Sequence, residues 1–301
     1  MLIGGGLLMK EQFEEKRPRG NVLFPFEQYY MINTTGNLFV TFHWHKEVEI
    51  IYLHSGTLTL WIESEEYHLI PGDIYFINSE MLHQFSSTEK NTCYYAYVFP
   101  LESLQFAMSD YSQTLVEPLF AHTMQFPAFV PMDSPIYGSI LNEVRELIHV
   151  NENKTLAYEL TTKACIYKII GYLIQAKLLH TPALLIQSST SKKSDIKKQI
   201  LSYIQENYAK PISLEDLAEI YHMSPKYFCY YFKQNFSMTF LDYVTRYRIE
   251  KARILLKNTG LSVMEIGFLV GYENFSYFIR TFKRIVGITP AKYRVEVQSE
   301  E

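Results

Sequence analysis

The last hundred residues of this 301-residue chain contain one pattern twice, and this duplication constrains the fold more than any other feature. Each copy has the pattern of a short amphipathic helix, a tight turn and a second amphipathic helix. In the first copy, Ser213 and Ser224 are placed to cap the two helices, and Pro225 suits a first helical turn. In the second copy, Ser262 and Glu265 form an S-x-x-E capping box. The duplication therefore predicts two helix-turn-helix units.

The second helix of each predicted unit has an apolar stripe and a polar face. Gly271 supplies the turn before the later of these helices, and Asn274 caps it. The apolar stripes consist of Phe228, Phe232 and Phe236 in the first unit and of Phe278, Phe282 and Ile285 in the second. The outward-facing residues are Lys226, Tyr227, Cys229, Tyr230 and Lys233 in the first unit and Ser276, Tyr277, Arg280, Lys283 and Arg284 in the second.

An apolar periodicity over 239–257 predicts one long helix between the two units. A DNA major groove about 12 Å wide accepts one helix, so a rigid connector can hold two such helices in successive grooves on one face of DNA. The charge distribution agrees with a polyanionic partner. From Ser191 onward there are 17 Lys and Arg against 12 Asp and Glu, whereas the preceding residues carry 11 against 20. These patterns favour double-stranded DNA as the partner of the C-terminal part.

The segments RIEKARILLKN and VMEIGFLVGYENFSYFIRTFKRIVGITPAKYR closely resemble the DNA-binding domain of the AraC family of transcription regulators. The resemblance covers about residues 196–294 and implies a seven-helix domain with recognition helices at 224–235 and 274–286. It also implies activation of transcription at promoters, with RNA polymerase as a partner. Residues that match the family's DNA-facing positions are Lys226, Tyr227, Cys229, Tyr230, Ser276, Tyr277 and Arg280, and Lys233, Asn274 and Lys283 complete the predicted DNA-binding set.

Arg280 is the leading candidate for base recognition in this set. Its guanidinium can donate two hydrogen bonds to O6 and N7 of a guanine, and such a pair is worth about 1–3 kcal/mol of discrimination. A phosphate contact or an ion pair within the domain is the alternative role. Cys229 and Tyr230 are unusual base readers, so we expect the first helix to position the protein through Lys226 and Lys233 on phosphates. Sequence discrimination is then expected mainly from the second unit.

Residues 22–100 consist of short β-branched and aromatic runs separated by turn signals, which predicts an antiparallel β-sandwich or barrel. Leu58, Leu60 and Ile62 alternate with Thr57, Thr59 and Trp61, as the two faces of a strand require. The runs are LFVTFHW, EIIYLHS, GTLTLWIE, YHLIPGDIYFIN and TCYYAYVF. The predicted fold class is therefore α+β with two domains. An N-terminal cupin-like antiparallel β-barrel with following helices precedes a C-terminal all-α double helix-turn-helix.

His43, His45 and Glu49, followed by Gly56, reproduce the HxHxxxExxxxxxG spacing of the first cupin motif. Alternation places the first three on one side of the sheet, and His83 can approach from a later hairpin. Three imidazoles and one carboxylate can bind iron, manganese, nickel or zinc. We expect instead that these residues line a pocket for a small polar effector such as a sugar. No cofactor, no resident metal and no enzymatic activity is expected.

Aromatic residues with hydroxyl groups suit a sugar or another small polar metabolite. The predicted effector-binding set is His43, His45, Glu49, Tyr52, Trp61 and His83, with His54, Tyr75 and Tyr95 as further wall residues. Two alternatives stay open from the sequence. The first is a metal-dependent cupin enzyme fused to a DNA-binding module, and the second is a barrel that senses a protein partner.

Apolar residues at helical spacing in 139–149 and in 156–174 predict two amphipathic helices after the barrel. These helices can pack on the sheet or pair with the same helices of a second copy, and we expect the pairing, which makes a homodimer. A stretch rich in Pro, Ser, Thr and Lys then has the composition of a linker. The expected organisation is an N-terminal arm at 1–20, the barrel at 21–134, a helical dimerisation segment at 135–180, the linker at 181–195 and the DNA-binding domain at 196–296.

Cysteine usage and the first residues indicate the compartment. The three cysteines are widely spaced and form no CxxC pair, so free thiols in a reducing compartment are expected. The opening MLIGGGLLMK is too short and too rich in glycine for a signal peptide or a membrane span. We therefore expect a cytoplasmic protein with no membrane partner, with translation starting at Met1 or Met9.

Overall fold

The computed structural model describes residues 19–63, 65–105, 110–182, 191–236 and 238–298. The strands are β1 Glu27–Ile32, β2 Leu38–His43, β3 Val48–Ser55, β4 Leu58–Ile62, β5 Glu65–Leu69, β6 Ile74–Ile77, β7 His83–Ser87 and β8 Cys93–Phe99. They form two antiparallel sheets with the orders β1-β8-β3-β6 and β2-β7-β4-β5. The predicted cupin-like barrel is thus confirmed. The half-exposed β1 and the polar β7 were not among the predicted strands, because neither has a strong apolar alternation.

Strand β3 lies between two different apolar layers. Ile51 and Leu53 point into the space between the sheets, where the alternating apolar residues of β4 also lie. Ile50 and Tyr52 point to the opposite side and pack beneath helices. Because both faces are buried, this central strand is a nearly continuous run of apolar residues.

Helices follow the barrel and cover the outside of the β1-β8-β3-β6 sheet. Their bounds are α1 Tyr111–Phe120, α2 Tyr137–Asn153 and α3 Tyr158–Gln175. The two predicted amphipathic helices correspond to α2 and α3, and buried residues such as Ile140 and Ile169 pack on the sheet of the same chain. Leu156 and Leu160, which the periodicity placed on the same apolar face, are exposed near the start of α3 instead. Helix α1, capped by Asp110, was not predicted.

The C-terminal part contains seven helices within the described residues, as the resemblance implied. They are α4 Ser191–Asn207, α5 Leu214–Ile220, α6 Pro225–Phe236, α7 Phe240–Asn258, α8 Val263–Leu269, α9 Phe275–Val286 and α10 Pro290–Gln298. The predicted caps are present, because Ser213, Ser262 and Asn274 each accept a hydrogen bond from the backbone N–H three residues later. None of the described helices combines the length and the apolar character that a membrane span needs.

Helix α4 begins inside the segment that was predicted to be a linker. Residues 191–195 are helical, so the predicted linker extends too far toward the C-terminus. The first turn of α4 is polar and the apolar periodicity starts only at Ile196, which explains why the sequence did not indicate the true start. Residues 183–190 of the predicted linker and 1–18 of the predicted arm lie outside the described residues.

The barrel and the DNA-binding domain share one apolar cluster. Phe42, Trp44 and Leu82 on the outside of the β2-β7 wall are buried together with the core of the first helix-turn-helix unit. The ring of Phe42 meets Phe236 at the end of α6 edge to face, with centroids 5.4 Å apart. The guanidinium of Arg246 in α7 lies 4.6 Å from the ring centroid of Phe39 in β2. The DNA-binding domain is therefore docked directly on the wall of the barrel.

Candidate DNA interface and histidine site

The first recognition helix, α6, presents one polar face to solvent. Phe228, Phe232 and Phe236 are fully buried, and this stripe sets the rotation of the helix about its axis. The hydroxyl of Ser224 accepts a hydrogen bond from the N–H of Tyr227 at 3.2 Å and so caps the first turn. The accessible face consists of Lys226, Tyr227, Cys229, Tyr230 and Lys233, all of which are exposed.

The second recognition helix, α9, has the same arrangement. Phe278 and Phe282 are buried, while Ile285 is only partly buried and Val286 takes its predicted place in the core. The Oδ1 atom of Asn274 accepts a hydrogen bond from the N–H of Tyr277 at 2.9 Å, which leaves the side-chain amide N–H groups for other partners. The accessible face consists of Ser276, Tyr277, Arg280, Lys283 and Arg284.

Two glycines allow the second unit to pack closely. A Cβ atom on Gly267 in α8 would lie 2.9 Å from the ring of Phe278, so a larger residue would push α9 away. Gly271, in the turn, has a φ of +89°, and a Cβ there would lie 2.8 Å from the carbonyl oxygen of Tyr208. The turn therefore requires glycine for both backbone conformation and space.

Several arginines of this domain stabilise its fold and are not free to contact DNA. Arg248 in α7 donates to the carbonyl oxygens of Tyr208 and Lys210 at 2.7 and 2.8 Å. Arg253 pairs with Glu250 at 2.9 Å. By contrast, the cations of the two accessible faces are exposed, and among the described residues no carboxylate forms an ion pair with Arg280. Both recognition faces therefore offer exposed positive charge.

A second candidate site lies inside the barrel. The structure brings together His43 at the end of β2, His45 just after it, Glu49 at the start of β3 and His83 at the start of β7. His43 and His83 are paired residues of neighbouring strands. The Oε2 atom of Glu49 lies 3.0 Å from Nε2 of His45 and 3.2 Å from Nε2 of His83. The juxtaposition predicted from strand alternation is therefore observed.

Charge interactions within this cluster overcome its burial. Burial alone raises the pKa of a carboxyl group, but contacts with His45 and His83 dominate and hold the pKa of Glu49 well below its usual range. Burial alone lowers the pKa of His45, but the hydrogen bond to Glu49 and its charge raise that pKa above the ordinary value. The cluster therefore stabilises a buried negative charge by surrounding it with imidazoles.

A small cavity of about 90 Å³ opens beside the cluster. Besides His43 and Glu49, its wall contains Arg19, whose guanidinium donates to the hydroxyl of Tyr29 at 2.5 Å. The remaining lining residues are Met31, Val40, Phe85, Tyr94, Ala96 and Val98. The cavity is well below the roughly 300–1,000 Å³ of ordinary small-molecule pockets, so it suits a small ligand.

Two predicted effector contacts face away from this cavity. Tyr52 lies on the helix-covered side of β3, and Trp61 lies on the side of β4 that packs against the first helix-turn-helix unit. His54 is exposed and Tyr95 packs on the helix side, so of the three further wall residues only Tyr75 points into the barrel. Alternation shows which residues share a face, but here both faces are covered, and the pattern does not show which face is internal.

The cavity residues that sequence reasoning missed come from β1, β2, β7 and β8 and from the segment before β1. Tyr94, Ala96 and Val98 alternate along β8, and the small Ala96 leaves space between its larger neighbours. The alternation of these three residues along the strand can be read from the sequence. The position of Arg19 cannot be read from the sequence in this way, because it depends on how the chain enters the barrel.

Two family models match different parts of the chain. Residues 28–170 match the family model of the AraC-like ligand binding domain, and residues 217–296 match that of a helix-turn-helix domain. The chain is 29% identical over 265 residues to YdeC, an HTH-type transcriptional regulator of Bacillus subtilis, with 87% of this chain and 89% of YdeC covered. It is 26% identical over 265 residues to the melibiose operon regulatory protein of Escherichia coli, with coverage of 84% and 83%.

Two shorter matches involve about a third of the chain. The bifunctional transcriptional activator/DNA repair enzyme AdaA of Bacillus subtilis is 35% identical over 102 residues, which are 34% of this chain and 48% of AdaA. The solved C-terminal domain of the response regulator yesN from Fusobacterium nucleatum is 40% identical, and the match covers 33% of this chain and 98% of that chain with a TM-score of 0.32.

Fold and sites together define a helix-turn-helix transcription regulator that combines DNA binding with an AraC-like ligand-binding domain. Nearly full-length relatives that are themselves transcription regulators support this class. The chain is a transcription regulator of the AraC type.

Proposed function

We propose that the chain activates transcription by placing α6 and α9 in successive major-groove segments of promoter DNA. The observation that carries this proposal is the pair of accessible polar faces, each held in a defined rotation by buried phenylalanines. In α9, Arg280 reads a guanine edge. In α6, Lys226 and Lys233 contact phosphates and position the protein.

The proposed effector is a small polar molecule bound in the barrel cavity. The cavity offers polar groups of His43, Glu49, Tyr29 and Arg19 on an otherwise apolar wall. The expectation of a sugar loses part of its support, because Tyr52 and Trp61 do not line the cavity and the space is small. A sugar-sized effector therefore requires the barrel to open further.

The proposed assembly is a cytoplasmic homodimer that contacts RNA polymerase at the promoter. The buried faces of α2 and α3 pack on their own sheet, so they are not the contact between copies. Leu156 and Leu160 remain exposed where these two helices are joined, and exposed leucines of this kind suit a dimer contact. Dimerisation would place four recognition helices on one DNA site.

The direct test is binding of the full-length protein to DNA upstream of its own gene and of adjacent genes. Fluorescence anisotropy at physiological salt should show affinity for one of these fragments about a thousandfold or more above that for shuffled DNA. Equal affinity for cognate and shuffled fragments at every salt concentration would contradict the proposal. A promoter-reporter assay then distinguishes activation from repression.

A further inference from the structure

The three histidines of the barrel cluster all use the same ring nitrogen for support. Nδ1 of His43 lies 2.9 Å from the carbonyl oxygen of Thr41, and Nδ1 of His83 lies 2.8 Å from that of Met81. Nδ1 of His45 lies 3.1 Å from the carbonyl oxygen of its near neighbour Glu47. A carbonyl oxygen only accepts hydrogen bonds, so each Nδ1 carries a proton and donates. In a neutral ring, each Nε2 is then a lone pair, which is the usual arrangement of metal-binding histidines.

These lone pairs face a carboxylate instead of a donor. The Nε2 atoms of His45 and His83 lie 3.0 and 3.2 Å from the same Oε2 atom of Glu49. A carboxylate oxygen, like a nitrogen lone pair, can only accept a hydrogen bond. A proton or a metal ion is therefore needed between these nitrogen atoms and the carboxylate oxygen. One added proton can serve only one of the two rings, and Nε2 of the fully buried His83 has no hydrogen-bond partner of suitable geometry among the described residues. A metal ion would satisfy all of these atoms together.

The size and chemistry of the cluster fit such an ion. One possible ligand atom from each of the four residues lies within 4.8 Å of the others. Bonds of about 2.1 Å place ligands on opposite sides of a metal about 4 Å apart, so a small inward movement closes the site. Imidazole nitrogens with one carboxylate prefer first-row transition metals to calcium or magnesium. We propose that His43, His45, Glu49 and His83 bind one divalent first-row transition metal ion.

The same backbone segments contact the DNA-binding domain. His43 and His45 face the cluster, whereas Phe42 and Trp44, which alternate with them, face the first helix-turn-helix unit. His83 is likewise preceded by Leu82, which is part of the same apolar cluster. Moving the histidines inward therefore changes the packing of the wall on which the first helix-turn-helix unit is docked. On this basis, and resting on the proposed DNA-binding function, metal occupancy changes the affinity of the protein for its promoter.

Metal binding is tested first, without DNA. Full-length protein stripped with a chelator is titrated with Co²⁺ while its visible absorption is recorded, and with Zn²⁺ followed by desalting and metal analysis. One equivalent per chain is expected, with loss of binding in His45→Ala and in the shape-preserving Glu49→Gln. His68→Ala, which removes an exposed imidazole outside the cluster, is the matched control and should retain one equivalent.

The outcome that overturns the metal site does not depend on any variant. Folded wild-type protein that retains no stoichiometric Mn²⁺, Fe²⁺, Co²⁺, Ni²⁺ or Zn²⁺ would rule it out. Unchanged stoichiometry in both His45→Ala and Glu49→Gln would also rule it out, because the ion would then lie elsewhere. Thermal melting of each variant verifies that it is folded.

Coupling is tested by measuring DNA affinity of the metal-loaded and stripped protein. A change of about fivefold or more in Kd is expected, as is usual for coupled sites. Phe42→Ala keeps all four ligands but removes the ring that meets Phe236, so it should bind metal normally and show a smaller change. Metal binding with an unchanged Kd would overturn the coupling alone. Failure to bind DNA in either state would contradict the proposed function and leave the metal measurement intact.

Discussion

Phe42 in the barrel and Phe236 at the end of the first recognition helix meet edge to face, with ring centroids 5.4 Å apart. Both rings are almost completely buried, so this contact joins the core of one domain to the core of the other. The two domains therefore do not behave as independent units on a flexible tether. A change in the β2-β7 wall has a direct packing consequence for α6.

We expect Phe42→Ala to lower the free energy of unfolding by about 3 kcal/mol or more, because it leaves a cavity at the junction of two cores. Chemical denaturation followed by intrinsic fluorescence measures the change. Tyr111→Ala, which removes an aromatic ring that is mostly exposed, is the control and should change stability by less than about 0.5 kcal/mol. Equal effects of the two substitutions would show that the junction does not contribute to stability.

Arg280→Ala should weaken binding to the cognate promoter by about 1–3 kcal/mol and leave binding to shuffled DNA nearly unchanged, because a lost base contact affects only the specific complex. Anisotropy titrations with both DNAs provide the comparison. Arg145→Ala removes an exposed arginine of α2, far from the recognition faces in sequence, and should have no effect on either DNA. Equal losses on both DNAs for Arg280→Ala would assign this residue to phosphate contacts.

Cysteine alkylation should report whether the face of α6 is covered by DNA. Cys229 is exposed on this face, whereas burial, assisted by Glu143, raises the pKa of Cys165 to about 12. The thiolate is the reactive form, so iodoacetamide at pH 8 should modify Cys229 and leave Cys165 unmodified. Promoter DNA should slow the modification of Cys229, as measured by mass spectrometry. Undiminished labelling at saturating DNA would place α6 away from the groove.

Leu160→Lys should shift the protein from dimer to monomer, because it introduces a charge at the proposed contact between copies. Sedimentation velocity over a range of concentrations measures the change. Leu115→Lys, at another exposed leucine in α1, is the matched control and should leave the dimer intact. If wild-type protein sediments as a monomer at micromolar concentration and on DNA, the proposed dimer is wrong.

Gly271→Ala should destabilise the DNA-binding domain by about 2 kcal/mol, because the residue adopts a positive φ and has no space for a Cβ. Gly260→Ala provides the comparison, since nothing lies within 4 Å of a Cβ at that position. Thermal or chemical unfolding of both variants tests the expectation. A Gly271→Ala variant as stable as wild type would mean that the turn can relax.

The C-terminal domain was the part most accessible from the sequence, because its determinants are local. Ser262 with Glu265 and Asn274 mark helix starts through hydrogen bonds that span three residues. The buried phenylalanines of α6 and α9 follow the helical period and so identify the opposite, exposed faces. The start of α4 was missed because its first turn has no apolar stripe.

The barrel was predictable as a set of strands but not as an interior and an exterior. His43, His45 and Glu49 were placed correctly together because strand alternation relates them directly. Tyr52 and Trp61 were assigned to the wrong face, since one lies under helices and the other under the DNA-binding domain. Such coverage depends on long-range packing, which short-range alternation does not report.

The docking of the first helix-turn-helix unit on Phe42, Trp44 and Leu82 also limits how such regulators can be recombined. A chimera that joins this DNA-binding domain to a foreign barrel would expose the apolar surface of the first helix-turn-helix unit that these three residues help to bury, even when the fusion point lies in the connecting segment. A functional chimera must therefore keep the β2-β7 wall of the barrel together with the recognition helices. For this chain, the smallest part that can be transferred intact includes a portion of the barrel domain.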